Sequence, residues 1–364
     1  MDRKTPHFLL LEPYYGGSHR SFLKGMQKHL PYAFTLISLP ARKWKMRMQL
    51  AAPWFAGKVI EKVHSGAHYD AILCSTFLDA AVLRTMLCRG NINLPLLVYF
   101  HENQFAYPDR MSDPAKYQFG ALNFTTALTA DRLAFNSRYN LDTFFHGVET
   151  YLKKAADMNL MHLLEDLQDK AEVLHPGLEF NDIDNRQRTG RDAVPAILWN
   201  HRWEHDKNPQ TFFRVLYDLS EQGLDFRLIV LGQSFAGRPA VFDEARDRLH
   251  KHIIHFGYAK SREEYVRQLR RGDLIISTAK HEFFGMAVLE AVRGGCFPVV
   301  PDRLAYRELF PRRFRYREGK LNVFLRQQLE SFQPLAEQDR IRLTEKYSWP
   351  VLARGYRTWL ESVL

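Results

Sequence analysis

Glu282 and Glu290 stand eight positions apart in HEFFGMAVLEAVRGG, a stretch that passes from polar to apolar. Met286, Ala287, Leu289 and Ala291 have the spacing of a helix packing on a sheet, and Gly285 leaves backbone donors accessible near its start. With a helix expected over Phe284 to Arg293, Glu282 precedes it and Glu290 lies about a turn and a half inside it. The two carboxylates then sit at different depths of one crevice and could hold hydroxyls from different parts of one extended ligand. Upstream, NHRWEHDKNPQTF sets Arg202 and Lys207 five residues apart in a loop before a helix. Both charges could converge on a diphosphate, the arginine through forked donors and the lysine as a point charge, although a solvated surface loop fits the same pattern. A third stretch, EPYYGGSHRSF, places Gly16, Gly17 and His19 between a strand and a helix, where backbone N–H groups could approach an anion. It lacks the G-x-G-x-x-G spacing of a dinucleotide site, and a plain strand-to-helix turn also explains it. His101, in YFHENQFAYP, ends a strand without the second histidine of an H-E-x-x-H zinc site, which leaves a sugar-side or a structural role.

Such residues need a scaffold that brings strand ends together. In the first half HFLLLEP, FTLISLP, YDAILCS, PLLVYFH and RLAFNS are short apolar runs that stop at polar or turn residues. Helical spacing lies between them, at Phe22 to Leu30, Trp54 to His64 and Ala115 to Ala127. The polar, glycine-containing NDIDNRQRTGRD, residues 181 to 192, reads as a linker. A second series follows: AILWNHR, FRLIVLG, IIHFGY, DLIISTA and CFPVVP, with helices over Pro209 to Gln222, Val241 to Leu249, Arg262 to Arg271 and Phe284 to Arg293. A chain of 364 residues exceeds the length at which single cores stop growing, which agrees with two α/β halves. In open α/β sheets ligands bind outside the carboxyl ends of the strands, where Gly16, Gly17, Ser18, His19, His101, Glu102, Arg202, Gly232 and Glu282 are expected to fall.

Composition narrows the class. Hydrophobic residues at 46% and charged residues at 25% are the profile of a globular protein, which excludes a disordered chain. Cys74, Cys88 and Cys296 are widely spaced and form no CxxC pair, which argues against a disulfide framework or a zinc ribbon and for a reducing compartment. No signal peptide or 18-residue apolar run is read, so the cytoplasm is the expected location and no integral membrane association is expected. The net charge of +10 suits a polyanionic partner or simply solubility. In ARKWKMRMQLAAPWF, Arg42, Lys43, Lys45 and Arg47 surround Trp44 with no acid between them, so phosphates could meet the cations while a base stacks on the indole. An amphipathic helix face is the plainer explanation.

The E-x7-E spacing followed by GGCFPVV, together with NHRWEHDKNP, the Gly loop after strand one and a C-terminal helix after YSW, resembles the retaining GT-B glycosyltransferases of family 4 across essentially the whole chain. EPYYGGSHRSFLKG, LPARKWKMR and YFHENQFAYP are similar to the glycosyltransferase-like family that includes the tRNA-queuosine mannosyltransferases. The resemblance implies two Rossmann-like domains facing each other across a cleft, residues 1–180 and 193–347, with the helix 348–364 packing back on the first. It implies mannose transfer from GDP-mannose to queuosine in a tRNA. Arg202 and Lys207 would neutralise the donor diphosphate, Glu290 would hold the ribose hydroxyls, and Glu282 with the backbone of Phe283, Phe284, Gly285 and Met286 would hold the donor sugar. His101 would sit by the anomeric carbon, Gly16 and Gly17 would let their loop approach phosphates and acceptor, His19 with the Arg42 to Arg47 segment would meet the acceptor or the RNA, and the Arg-rich stretch from Arg303 to Arg317 would lie along the RNA's path. No metal cofactor is expected, because the Arg/Lys pair and a helix N-terminus supply the positive potential. Two alternatives stay open: a family 4 enzyme acting on a lipid-linked or surface glycan, and a non-catalytic module that binds RNA or a sugar nucleotide.

Overall fold

The structure, a computed structural model, describes residues 5–107, 115–186, 193–234 and 237–364. The chain divides into two units, Met1–Gly177 with Trp349–Leu364, and Leu178–Ser348. Each is built around a six-stranded sheet in which the described strands pair in parallel.

In the first unit β1 (His7–Tyr15), β2 (Ala33–Pro40), β3 (Ala71–Ser75), β4 (Leu96–Phe100), β5 (Arg132–Phe135) and β6 (Ala171–Val173) lie in the order β2-β1-β3-β4-β5-β6. Their apolar runs are nearly unbroken because both sheet faces are covered. Leu9, Leu11, Ile72, Val98 and Leu133 enter one core layer with Phe55 and Phe144, and Phe8, Leu10, Leu73, Leu97 and Tyr99 enter the other with Phe22, Trp349 and Trp359. Chain order reverses between β1 and β3, which leaves their two following loops on opposite sides of a gap.

The second unit arranges β7 (Ala196–Asn200), β8 (Arg227–Leu231), β9 (Ile253–Gly257), β10 (Leu274–Ile276), β11 (Phe297–Pro301) and β12 (Arg315–Tyr316) in the order β12-β11-β10-β7-β8-β9. Here the reversal falls between β7 and β10, so the loops beginning at His201 and Ser277 open beside each other.

The structure departs from the sequence reading in several places. Residues 181 to 186 do not form a linker: Asn181–Asp184 is a helical turn with Ile183 fully buried, and residues 187 to 192 lie outside the described residues. The helix expected from Trp54 begins ten residues earlier, as Trp44–His64, with Lys43 in a left-handed conformation at φ 52° before it. Its first turns carry so much charge that their apolar spacing is hidden, yet Met48, Ala51, Ala52 and Phe55 are buried. The helix of the Glu282–Glu290 stretch starts at Met286 rather than Phe284. Strands β6 and β12, of three and two residues, carry too little pattern to be read in advance.

The helix Trp349–Glu361 belongs to the first unit. Trp349 packs on Phe22 and Tyr356 at ring-centroid distances of 6.0 and 5.1 Å, and the Tyr356 hydroxyl donates to the His175 carbonyl at 2.8 Å. Removing a fully enclosed indole loses its transfer free energy and leaves a cavity. Trp349→Ala is expected to destabilise the first unit by about 3 to 5 kcal/mol in denaturant melts, and a loss below about 1 kcal/mol would show that the helix is not part of that core.

Candidate active site

The β7–β10 reversal gathers most of the expected donor-side residues of the second unit. Lys207 is buried in the turn after β7. Its Nζ donates to the His281 carbonyl at 2.8 Å and lies 3.2 Å from both Glu282 Oε2 and Asp206 Oδ2. Burial opposes the ammonium charge, but Glu282 and Asp206 outweigh it and hold the lysine above its ordinary range. Burial likewise opposes the Glu282 carboxylate, and Lys207 holds it below the usual value. His201 stays neutral, lowered to about 4 by burial and then by Lys207. Its Nε2 faces the Ile276 carbonyl at 3.2 Å. Arg202 points outward, its side chain 51% exposed, with Nη1 3.0 Å from Glu204.

Glu282 is followed by two buried phenylalanines, Phe283 and Phe284, that anchor the loop. Gly285 then turns the chain at φ +101°, and a side chain there would bring a Cβ within 3.2 Å of the Tyr306 ring. That conformation, which residue type alone does not reveal, sets the helix Met286–Gly294 two residues later than its apolar spacing suggested. Within the helix, Glu290 accepts from the Tyr265 hydroxyl at 2.8 Å and from Arg262 Nη1 at 2.7 Å. Asn200 donates in turn to the Tyr265 oxygen at 2.8 Å, and Arg262 also pairs with Asp182. Asp206, Arg262 and Tyr265 were not singled out in the sequence, where nothing in REEYVRQLRR connects it to Glu290.

In the first unit Gly16 is extended, Gly17 has φ +48°, and the helix Gly17–His29 starts directly from them. His101, at the end of β4, is buried and stacks on His19 with ring centroids 3.9 Å apart. His19 therefore does not lie on an RNA-facing surface as expected. Its Nδ1 is 3.1 Å from Glu12 Oε2, and its Nε2 is 3.6 Å from Glu102 Oε2. The loop after His101 is fixed by buried amides: Asn103 accepts from Phe105 and Ala106 N–H and donates to Asn140, which itself donates to the Phe100 carbonyl. Ligand-type atoms of Glu12, His19 and His101 come within 4.8 Å of one another, the one such group among the described residues. Both nitrogens of His19 face carboxylates and the two rings lie almost parallel. That is the geometry of an ion pair on a ring stack.

Residues 7–178 match the model described as tRNA-queuosine alpha-mannosyltransferase N-terminal, and residues 181–314 match the one described as glycosyl transferases group 1. The chain is 34% identical over 330 residues to the tRNA-queuosine alpha-mannosyltransferase of Drosophila melanogaster, which covers 87% of this chain and 85% of that protein. The chain belongs to the tRNA-queuosine alpha-mannosyltransferase family. It is a glycosyltransferase. Among solved structures, HepE from Anabaena in complex with UDP-glucose superposes with a TM-score of 0.71 at 16% identity, over 98% of this chain and 99% of that one. Sucrose-phosphate synthase from Thermosynechococcus elongatus gives 0.71 at 12% identity over the same shares. At such identities the likeness shows the fold alone, an α/β fold of the GT-B type.

In this member of the queuosine mannosyltransferase family the cationic segment before and within the Trp44–His64 helix is exposed at Arg42, Lys43 and Lys45, while Arg47 is half-buried. Trp44, the residue expected to stack on a base, is half-buried and packs against Phe119 and Phe77 at 5.2 and 6.2 Å. The Arg303 to Arg317 stretch is largely paired within its own unit: Arg307, Arg312 and Arg315 converge on Asp302, Arg313 on Asp339 and Arg303 on Glu318.

Lys207→Met should strand two carboxylates in a buried site and cost about 3 to 5 kcal/mol in equilibrium unfolding at neutral pH. Glu282 and Asp206 have folded pKa values below their ordinary ones, so in the wild type they contribute stability above pH ~4.5 that is lost as pH falls through the folded values. The penalty of the variant should therefore shrink on acidification below pH ~4.5, and a pH-independent penalty would contradict the pairing.

Proposed function

We propose that the protein transfers mannose from GDP-mannose to the queuosine of a tRNA, with retention at the anomeric carbon. The observation that carries this is the identity with an enzyme of that name across both units, joined to a second unit that keeps Arg202, Lys207, Glu282 and Glu290 at its strand reversal. Those residues argue against a module that has lost its donor site.

In this reading Glu290 exchanges its contact with Arg262 for the ribose hydroxyls, while Tyr265 keeps the carboxylate aimed. The Lys207 ammonium already has three oxygens within 3.2 Å, so it chiefly fixes Glu282 for the donor sugar, and the more exposed Arg202 reaches the diphosphate. The N-terminus of the Met286–Gly294 helix adds positive potential to the leaving group. Among the first unit's own residues, His101 is the candidate for the sugar and the Gly16–Gly17 loop for the phosphates. The anomeric C–O bond to GDP breaks as the bond to the acceptor oxygen forms on the same face, and the departing diphosphate takes up the acceptor proton. No side chain is assigned as a covalent nucleophile, and no metal takes part. Calorimetry with GDP in chelator should show binding, and a strict requirement for Mg²⁺ or Mn²⁺ would overturn the metal-free reading.

Residues 13 to 60 contain eight Lys/Arg and no Asp or Glu, which favours a polyanionic acceptor. On the Trp44–His64 helix Met46, Leu50 and Trp54 recur every fourth residue and are 48%, 58% and 43% exposed. Trp54, rather than Trp44, is placed to meet an unstacked base. The same stripe beside the same cations would also sit on an anionic lipid surface, the feature that favours a lipid-linked glycan as acceptor; among the described residues no helix is long and apolar enough to cross a membrane. The tRNA reading puts the protein's work in the cytoplasm.

Glu290→Ala should weaken GDP binding, and Glu282→Ala should chiefly impair use of the intact donor, each by roughly 1.5 to 3 kcal/mol. Equal effects of both on binding of GDP alone would contradict this division. Trp54→Ala should cost about 1 to 3 kcal/mol of tRNA affinity with little change in salt slope, whereas loss of a phosphate-binding lysine should lower that slope by roughly 0.7 to 0.9. The deciding assay is transfer from GDP-mannose to matched tRNAs with and without queuosine. Equal transfer to both, or transfer only to a lipid or glycan, would end the queuosine reading.

A further inference from the structure

The plane and charge of the His101 ring are set by what lies beneath it. His19 stacks on it with planes inclined by 27°, while Phe22 and Tyr99 meet it edge-on at 5.0 and 4.7 Å. Two buried imidazoles at this distance are not both charged, because like charges in an apolar setting disfavour each other. Their partners decide which one is. His19 has a carboxylate near each ring nitrogen, Glu12 hydrogen-bonded to Nδ1 at 3.1 Å and Glu102 at ion-pair distance, 3.6 Å, from Nε2, and two flanking negative charges favour the imidazolium. Glu12 is held in place for this, its other oxygen accepting from the Tyr14 N–H at 2.7 Å and the Ser75 hydroxyl at 3.1 Å.

The remaining titratable neighbours do not compete for that proton. The Cys74 thiol is kept protonated by burial and then by Glu12. The Tyr99 hydroxyl points away and donates to the Leu174 carbonyl at 2.7 Å. His175 engages the carbonyl of Asn136, whose side-chain amide holds the backbone oxygen of His101 at 2.7 Å. The His101 ring itself makes no hydrogen bond within the described residues.

We propose that His19 is a positioning residue: clamped as a cation between Glu12 and Glu102, it is the platform on which His101 lies flat and uncharged for contact with the donor sugar. The proposal rests on the reading of His101 as a donor-side residue. Electrostatics run the same way, since burial opposes charge on His19 but the two carboxylates outweigh it and push it up to about 10. His101 is pushed well down, first by burial and then by the charge on His19. A neutral ring keeps both a donor and an acceptor for sugar hydroxyls and adds no cation that would compete for the leaving diphosphate.

The test follows the imidazole C2–H resonances of the full-length protein with GDP bound, assigned through His19→Gln and His101→Gln. Between pH ~5.5 and ~9 the wild type should show His19 protonated and His101 neutral throughout. In His19→Gln the ring loses its cation but keeps both carboxylates nearby, so the His101 midpoint should rise by about 1 to 3 pH units. The acid limb of kcat for hydrolysis of GDP-mannose should move by the same amount, while KM for the donor changes little. A wild-type His101 that titrates near its ordinary value, or a neutral His19 at pH ~7, overturns the proposal even if the variant fails to fold. Resonances that shift without any movement of the kcat limb also overturn it, because His19 would then have no hold on the reaction. Donor hydrolysis needs no RNA, so failure of the queuosine reading would not register in this assay.

Discussion

A parallel sheet delivers every strand's carboxyl end to the same edge, and where the chain order reverses, two neighbouring loops diverge and leave room between them. Both units of this protein are governed by that constraint. In the second it falls between β7 and β10, so Asn200, Lys207 and the Ser277 to Glu282 loop become neighbours although some 70 residues separate the two strands' loops. In the first it falls between β1 and β3, and Ser75 from one strand end reaches Glu12 from the other. Polar and charged side chains collect at these points because the strand ends and the loops that follow them converge there.

Charge taken into such a gap has to be matched, and the two units solve this in the same way. A buried cation, Lys207 in one and His19 in the other, is set between two carboxylates, and a neutral imidazole, His201 or His101, rests beside it. Each arrangement fixes side-chain geometry before a ligand arrives, so less ordering remains for the binding step. The energetic hold is asymmetric: removing the cation leaves two like charges without compensation, whereas removing one carboxylate still leaves an ion pair.

How far the sequence showed this depended on whether a feature is local. Strand runs such as FLLL and LLVYF announce a sheet covered on both faces, and the glutamates and basic residues of the donor side sit at readable spacings. The start of the Met286–Gly294 helix was not readable, because residue type alone does not reveal that Gly285 takes a φ of +101°. The burial of His19 was hidden, because its neighbours Glu102 and His101 come from a strand end some 80 residues away. The clue was its partner seven residues upstream: Glu12 is an acid in a largely apolar strand, and a buried carboxylate needs donors or a cation nearby. Arg262 and Tyr265 were invisible because their contact with Glu290 is purely tertiary.

The Trp349–Glu361 helix carries a consequence for biosynthesis. The first unit's core includes Trp349, Tyr356 and Trp359, yet these residues leave the ribosome only after the whole second unit has been made. At ~5 to 20 residues per second the nascent first unit waits on the order of ten seconds or more with the Phe22 and Tyr99 face of its sheet uncovered. Vectorial folding therefore runs backwards here, with the second unit able to close first and the earlier-born unit sealed last. During that interval the exposed aromatic face is a chaperone's natural client.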